Sequence, residues 1–100
     1  MNILLQMLPV YQLRVVGKSM EPTIHDGQTV LLNRCAYILF SPEIHDVVAL
    51  KDPRDKKIII KRVTKIQDDR YFVMGDNTTF STDSRKFGMI EKNDILGKIV

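Results

Sequence analysis

A serine and a lysine are the residues of this sequence with the clearest capacity for chemistry. Ser19 lies in the segment VGKSMEPT at 16–23, directly after an apolar, strand-like run and at the start of a possible helical turn. A hydroxyl at such a position is exposed, and the unpaired N–H groups of the turn can face an incoming carbonyl oxygen. The same placement is also typical of a helix N-cap serine, so this segment alone does not establish a nucleophile.

The run IIIKRV at 58–63 places a lysine among aliphatic residues. Because side chains alternate along a strand, Ile59, Lys61 and Val63 share one face. The lysine therefore either lies at a sheet edge, which is common, or is desolvated, which lowers its pKa. Lowering that pKa from ~10.4 to about 8 costs roughly 3 kcal/mol. A neutral amine of this kind can accept a serine proton, and a Ser-Lys pair is a known alternative to Ser-His-Asp.

A third candidate segment, GDNTTFSTDSRKFG at 75–88, is polar and is bounded by glycines, which argues against a core strand. It is either an ordinary surface loop or a functional one. Loops of about 14 residues without regular structure are usually functional, so its serine, aspartate and arginine side chains are candidates for a site.

Other catalytic or metal-binding chemistry has little support in the sequence. His25 and His45 each precede an aspartate, but both lie in expected turns, where a histidine is more often a surface residue than part of a triad. Neither belongs to an H-E-x-x-H motif, and Cys35 is the only cysteine, so we predict no metal, no cofactor and no internal disulfide. Residues 17–19, Gly-Lys-Ser, do not form a phosphate-binding loop, because Gln12 stands where its first glycine would be.

The elements that must position these segments are mostly strands. Runs rich in Val, Ile, Leu or Tyr alternate with turn residues, and they predict strands over 13–16, 29–33, 46–51, 57–66, 70–74 and 95–100. Helical turns are expected at 20–24, where Pro22 suits a first turn, and at 83–87. The fold class predicted is therefore all-β: one compact β-domain with one or two short helical turns and no inserted second domain.

Length and charge limit the remaining possibilities. A chain of 100 residues is enough for one small domain, which we place at 13–100 after an apolar N-terminal segment at 1–12. The apolar residues of that segment are too few to span a bilayer, so we expect at most peripheral contact with a membrane, or a soluble protein. The net charge of +3 comes from basic residues interleaved with acidic ones, and no aromatic residues accompany them, so nucleic-acid binding is not predicted.

Taken together and in this order, VVGKSMEPTI at 15–24, IIIKRV at 58–63 and GDNTTFSTDSRKFG at 75–88 resemble the three motif segments of the type I signal peptidases. That family shares its fold with the LexA-type self-cleaving repressors. The resemblance extends over nearly the whole chain from Leu13 onward. It implies a serine endopeptidase whose partner is a precursor protein with a leader or signal peptide.

The resemblance also assigns roles to individual residues. It implies that Ser19 is the nucleophile, that Lys61 is the general base, and that the backbone N–H of Ser19 contributes to the oxyanion hole. Some relatives add a hydroxyl two residues earlier, where this chain has Gly17. The remaining positions carried over are Ser81, which orients the lysine; Asp83, which pairs with Arg62 and Arg85; Gly75, which packs against the lysine; and Met20 and Ile24, which line the substrate pocket.

Several features depart from the large bacterial enzymes. Two expected Gly-Asp pairs read Gly27-Gln28 and His45-Asp46, and the segment between Lys61 and Gly75 is short. No transmembrane anchor is apparent. In these respects the chain is more similar to the small maturation peptidases of the family, such as those that remove the leader of nickel-type superoxide dismutase.

Two other functions are compatible with the same fold. A LexA-type self-cleaving domain is expected to carry a DNA-binding or linker segment before the serine, and 18 residues precede Ser19. A non-catalytic β-module is expected to have lost Ser19, Lys61 or Ser81, and all three are present. Both observations favour the peptidase.

Overall fold

The computed structural model describes residues 10–100, which form a seven-stranded antiparallel sheet with strand order β1-β2-β7-β3-β4-β5-β6. Most of the apolar N-terminal segment, residues 1–9, lies outside the described residues. Two single 3-10 turns, Thr78–Phe80 and Lys92–Asp94, accompany the strands. The strands and the one α-helix are β1 (Val10–Arg14), β2 (Thr29–Asn33), β3 (Val47–Lys51), β4 (Ile58–Gln67), β5 (Arg70–Met74), α1 (Ser84–Phe87), β6 (Ile90–Glu91) and β7 (Ile95–Ile99).

The predicted all-β architecture is confirmed, and most predicted strands agree with the observed ones to within a residue. β1 is the exception: it begins at Val10 and ends at Arg14, because residues 10–14 are the ones that pair with β2. Residues 10–12, which the sequence grouped with the N-terminal segment, therefore belong to the sheet. The two-residue strand β6 was not predicted, since so short a run carries no alternation that could reveal it.

One of the two expected helical turns is a helix and the other is not. Asp83 caps α1, its carboxylate accepting a hydrogen bond from the Arg85 N–H, as the capping preference of aspartate predicts. Residues 20–24 instead form an irregular turn, closed by a hydrogen bond from the Ile24 N–H to the Met20 carbonyl. Pro22 lies in this turn and therefore not in the first turn of a helix.

Apolar side chains cover both faces of the sheet. One buried cluster comprises Val48, Leu50, Val63, Tyr71, Val73 and Ile90. The other comprises Val15, Met20, Ile24 and Val30, against which Val47 and Ile60 pack. Because successive residues of β3 and β4 point to opposite faces, this hairpin contributes to both clusters. Met20 follows Ser19 and belongs to the second cluster, so its packing holds the turn of Ser19 against the sheet.

The pairing of β4 leaves part of one edge without a partner strand. Residues 58–62 pair with β3, but β5 pairs with β4 only from Arg62 onward, with a register shift between Val63 and Lys65. Within residues 10–100, the segment 58–61 thus has one unpaired edge, and so does β1, which pairs with β2 alone. In the same part of the chain, no helix is long and apolar enough to cross a membrane.

Candidate active site

Ser19 and Lys61 meet across the sheet. Ser19 lies in the turn after β1 and Lys61 lies in the first half of β4, and Lys61 Nζ is 2.8 Å from Ser19 Oγ. The two residues are 42 positions apart in sequence, so only the tertiary fold brings them together. At this distance a neutral amine accepts the hydroxyl hydrogen directly, which is the geometry required of a nucleophile and its base.

The environment of Lys61 favours the neutral amine. The residue is only 4% exposed, so its side chain is desolvated, although the strand edge at residues 58–61 is unpaired within residues 10–100. Burial lowers the pKa of Lys61 below its ordinary value of 10.5, and the positive charge of Arg54 lowers it further. The carboxylates of Asp83 and Asp52 act in the opposite direction, but their effect is smaller than that of burial.

The Asp83 side chain is buried, and both of its carboxylate oxygens accept hydrogen bonds. Its Oδ1 accepts from Arg85 Nε at 2.9 Å, and its Oδ2 accepts from Ser81 Oγ at 2.7 Å and from the Gly75 N–H at 3.0 Å. Burial by itself would raise the pKa of Asp83, but the hydrogen bonds from Arg85, Ser81 and the backbone lower it to about 2. Asp83 is therefore a permanent negative charge near Lys61 at neutral pH.

The hydrogen bond expected between Ser81 and Lys61 is absent among residues 10–100. The Ser81 hydroxyl donates to Asp83 and accepts from the Gly75 N–H at 3.2 Å, and within residues 10–100 it makes no hydrogen bond to Lys61. The buried carboxylate is the stronger acceptor for the Ser81 hydroxyl. Ser81 thus fixes the Asp83–Gly75 contact beside the dyad and does not hold the amine itself.

Gly75 leaves no room for a side chain, as predicted, but its close neighbours differ from the expected lysine. A Cβ atom at this position would overlap the Ser81 side chain and would lie 2.5 Å from the Ser19 carbonyl oxygen. The glycine lets the third motif segment approach the backbone of Ser19 directly. A residue without a side chain is therefore needed at position 75, where the third motif segment packs against the turn of Ser19.

The ion pair of Arg62 also differs from the expectation. Arg62 binds Asp76 and not Asp83, with Nε to Oδ1 at 2.9 Å and Nη2 to Oδ2 at 2.8 Å. Within residues 10–100, the ion-pair partner of Asp83 is Arg85. Arg62 alternates with Lys61 along β4 and so points to the other face of the strand, away from Asp83.

Asp76 and Asn77 are site residues that the sequence reasoning did not single out. Asp76 Oδ2 also accepts from the Thr23 hydroxyl at 2.6 Å. The Asn77 N–H donates to the Ser19 carbonyl at 2.8 Å, and its Nδ2 donates to the Lys18 carbonyl at 3.1 Å. The sequence signal for these two residues was their position directly after Gly75, because the chain meets the turn of Ser19 there.

A cavity of about 220 Å³ opens beside the dyad. It lies between two strand edges that have no partner strand within residues 10–100, those of β1 and of the first half of β4. Its lining residues are Leu13, Arg14, Val15, Val16, Ser19, Met20, Ile58, Ile59, Ile60 and Lys61. Met20 therefore lines the cavity as expected, whereas Ile24 does not: it packs into the buried cluster with Val15 and Val30.

The Ser19 N–H has no hydrogen-bond acceptor within residues 10–100, so it can donate to a substrate carbonyl oxygen. The preceding Gly17 has φ +97°, and its N–H donates to Asp26 Oδ1 at 2.9 Å. This positive φ is one that glycine adopts readily and that most other residues avoid. The bend at Gly17 ends the path of β1 just before Ser19, which lines the cavity.

The histidines lie apart from this arrangement. His25 Nδ1 is 3.1 Å from Glu21 Oε1, and at His45 the hydrogen bonds are made by the backbone, whose carbonyl accepts from Arg62 Nη1 at 2.7 Å. Neither ring hydrogen-bonds Ser19 or Lys61 in the part of the chain that the structure covers. In that same part, no three His, Cys, Asp or Glu side chains are grouped so that they could hold a metal ion.

Comparisons with known proteins agree with the geometry. A family model described as "Signal peptidase, peptidase S26" matches residues 1–66 and 64–100. Signal peptidase I V of Bacillus subtilis is 26% identical, and the match includes 86% of this chain and 81% of the relative. The mitochondrial ATP-independent inner membrane protease subunit 1a of Arabidopsis thaliana is 30% identical over 84% of this chain, and the human mitochondrial inner membrane protease subunit 1 is 31% identical over 83%.

The chain is shorter than these relatives. It spans 64% of the Arabidopsis protein and 63% of the human one. The alignment with the Bacillus protein extends over 137 positions, which exceeds the length of this chain, so that relative has additional residues inside the matched region. The two segments matched by the family model meet at residues 64–66, within β4 and near the register shift of its pairing with β5.

Proposed function

The chain belongs to the signal peptidase family, peptidase S26, and we propose that it is a serine endopeptidase that removes a leader or signal peptide from a precursor protein. The observation that carries the proposal is the 2.8 Å contact between Ser19 Oγ and the buried Lys61 Nζ. Ser19 is the nucleophile and Lys61 is its general base in this mechanism. Histidine and metal ions have no role in it.

The first half of the reaction forms an acyl-enzyme. Ser19 Oγ attacks the scissile carbonyl carbon while the neutral Lys61 amine takes the hydroxyl proton. The Ser19 N–H stabilises the negative charge that develops on the carbonyl oxygen. When the tetrahedral intermediate collapses, the protonated lysine returns the proton to the departing amine, and the amide bond breaks.

The second half hydrolyses the acyl-enzyme. A water molecule attacks the ester carbonyl and gives its proton to Lys61, which again stabilises the intermediate by accepting that proton. The ester bond to Ser19 then breaks, the proton passes to Ser19 Oγ, and the leader peptide leaves as a carboxylic acid. Burial of Lys61 matters in both halves, because only an amine of lowered pKa is neutral in enough molecules near pH 7.

We place the substrate as an extended strand between β1 and the first half of β4. Both strands have an edge with no partner strand within residues 10–100, and the cavity lies between them. An added strand would satisfy the free backbone groups of both edges. Its side chains would alternate between solvent and the cavity, with the scissile carbonyl next to Ser19.

The size and lining of the cavity indicate which side chains fit. The cavity has a volume of about 220 Å³, and Met20 and Ile60 are among the apolar residues that line it together with Ser19. Small residues such as alanine should therefore be preferred just before the cut and two residues earlier, as resemblance to the family also implies. Ile24 contributes indirectly, because it supports Met20 from the core.

Two narrower expectations remain predictions. The first is that the precursor is a nickel-type superoxide dismutase, which cleavage of a synthetic leader peptide of that precursor would test. The second is peripheral contact with a membrane, suggested by the apolar residues 1–9. A carbonate wash of membranes at high pH should release the protein, and retention in the membrane would contradict this expectation.

The proposal is tested by cleavage of a peptide library whose members carry different residues before the cut. The expected result is a single cut after a small residue, detected by mass spectrometry, with no product from Ser19→Ala. Incubation with a fluorophosphonate probe should label Ser19 in the wild type and leave Ser19→Ala unlabelled. Cleavage chiefly after Arg, Lys or bulky aromatic residues would overturn the proposed specificity, and cleavage by Ser19→Ala would overturn the mechanism.

A further inference from the structure

A second ion pair, Asp52 with Arg54, lies at the tip of the β3–β4 hairpin. The Asp52 side chain is 3% exposed, and both of its oxygens accept from one guanidinium, with Nε to Oδ1 at 3.0 Å and Nη2 to Oδ2 at 2.6 Å. The Arg54 N–H donates to the same Oδ1 at 2.9 Å. The position of this buried carboxylate is therefore fixed by a single neighbouring residue.

The hairpin register places Asp52 on the same face of the sheet as Lys61. Lys61 is directly opposite Val48, and Asp52 follows Val48 by four residues, so alternation gives them a common face. The ladder continues to Asp52, whose N–H donates to the Lys57 carbonyl at 2.8 Å. This is the face from which Lys61 reaches Ser19.

Two carboxylates therefore act on the Lys61 amine from different segments, and each is paired with an arginine. Asp83 is paired with Arg85, and Asp52 is paired with Arg54. Both carboxylates favour the ammonium form of Lys61, while Arg54 and burial favour the neutral amine. The hydrogen-bond partner of the Lys61 amine, the Ser19 hydroxyl, carries no charge.

Arg54 is held in place from a second direction. Its guanidinium carbon is 5.6 Å from the centre of the Phe87 ring, on the helix that Asp83 caps. A guanidinium over an aromatic face is attracted to it. The Phe87 contact thus connects the hairpin tip to α1 and keeps Arg54 next to Asp52, although about half of the arginine side chain is exposed.

We propose that Asp52 and Arg54 form a positioning pair for the proposed base: Arg54 offsets part of a buried negative charge that favours the protonated form of Lys61. Arg54 acts by its charge and by its hold on Asp52, and it touches neither Ser19 nor the substrate cavity. The proposal rests on the proposed function only for its catalytic consequence, because the protonation of Lys61 is measurable without any substrate.

The direct test is a titration of Lys61 by NMR in protein labelled with nitrogen-15 lysine, with the resonance assigned by its loss in Lys61→Met. Arg54→Gln should raise the titration midpoint, because the Asp52 charge is no longer balanced. Asp52→Asn should lower the midpoint by a larger amount, and the midpoint of Asp52→Asn/Arg54→Gln should lie between those of the two single variants. Arg54→Lys keeps the charge and should leave the midpoint nearly unchanged.

Arg70→Gln provides the matched control, since it removes one arginine charge at the distant β4–β5 hairpin, and its midpoint should equal that of the wild type. Midpoints that coincide in Arg54→Gln, Asp52→Asn and the wild type would overturn the proposal and leave the pair a purely structural contact. An equal shift in Arg54→Lys and Arg54→Gln would overturn it too. If Arg54→Gln does not fold, the NMR midpoints of Asp52→Asn and Arg54→Lys still test the proposal.

The catalytic activity of the variants is an independent test of the proposal. In Arg54→Gln, kcat/KM near pH 7 should fall and recover at higher pH, and the fold-loss should match the measured rise of the NMR midpoint, since one pKa unit is a factor of ten in the neutral fraction. The NMR midpoints move whether or not the chain cleaves a precursor. Failure of the proposed peptidase function would leave the titration result intact, and a failed titration would leave the Ser19–Lys61 mechanism intact.

Discussion

Asp76 binds Arg62 through two parallel hydrogen bonds, Nε to Oδ1 at 2.9 Å and Nη2 to Oδ2 at 2.8 Å. Arg62 is adjacent to Lys61 in β4, and the same carboxylate accepts from Thr23, four residues after Ser19. Asp76 therefore joins the strand of the proposed base to the turn of the proposed nucleophile. A bidentate pair of this kind is directional as well as attractive, so it fixes the separation of the two segments.

Loss of this connection should lower turnover more than substrate binding. Asp76→Ala is expected to reduce kcat about 10- to 100-fold with a smaller change in KM, because a small misplacement of Ser19 relative to Lys61 has a large effect on rate. Asp46→Asn is a suitable control, since that carboxylate is also partly buried and hydrogen-bonded, but to Tyr37 and Lys98. Steady-state kinetics in which both variants lose kcat equally would contradict the connecting role of Asp76.

The proposed dyad predicts a non-additive loss of activity. Ser19→Ala and Lys61→Met should each lower kcat/KM about a thousandfold or more, and the double variant should be little worse than either, because the two residues act as a unit. Lys61→Met keeps much of the buried volume. His25→Ala and His45→Asn should retain most activity; asparagine is used at His45 because φ is +82° there. A folded histidine variant without activity, beside an active Lys61→Met, would exclude the Ser-Lys mechanism.

The dependence of activity on pH follows from the lowered pKa of Lys61. The protonated amine cannot accept a proton, so kcat/KM should be low at acidic pH and should rise as Lys61 deprotonates. Because burial lowers this pKa, the midpoint should lie below the ordinary 10.5. The measurement is a pH–rate profile with a peptide substrate, controlled by circular dichroism at each pH. A midpoint at or above 10.5 would show that Lys61 is not a desolvated base.

A methyl group at Gly75 should disturb the nucleophile as well as the fold. Gly75→Ala would press on the Ser19 carbonyl and the Ser81 side chain, and overpacking of this kind costs about 1–3 kcal/mol of stability. Gly97→Ala is the matched control, because a Cβ there would overlap the Asn33 backbone, away from Ser19 and Lys61. Both variants should unfold at lower temperature, but only Gly75→Ala should have a reduced kcat in the fraction that remains folded.

Asp83 should make the fold sensitive to acid. Its folded-state pKa of about 2 lies below the ordinary 3.8, so its contribution to stability is present above pH 3.8 and is lost as the pH falls toward 2. The contribution is about 2 kcal/mol for a shift of this size. Denaturant unfolding of Asp83→Asn should show a correspondingly smaller loss of stability between pH 5 and 2. Identical losses in wild type and variant would mean that Asp83 is not the group responsible.

The sequence by itself predicted most strands, because strands depend on local patterns, whereas the roles of Ser19 and Lys61 came from the resemblance of three motif segments to the type I signal peptidases. Alternation in β4 placed Lys61 on an aliphatic face, and it is buried. The turn residues between the runs predicted where most strands end, and β2 and β5 were predicted at their observed bounds. Asp83 was expected at the start of a helical turn, and it caps α1 through its own side chain.

Only the tertiary structure decided which partners these residues have. Arg62 binds Asp76 because the two lie on one face once β4 and the third motif segment have packed, and Ser81 turns to Asp83 because a buried carboxylate is the strongest acceptor within reach. The cavity likewise requires two strand edges, of β1 and β4, that are remote in sequence. Local patterns specify how a strand presents its side chains; contacts across long sequence separations depend on how the whole sheet pairs and bends, which no local pattern contains.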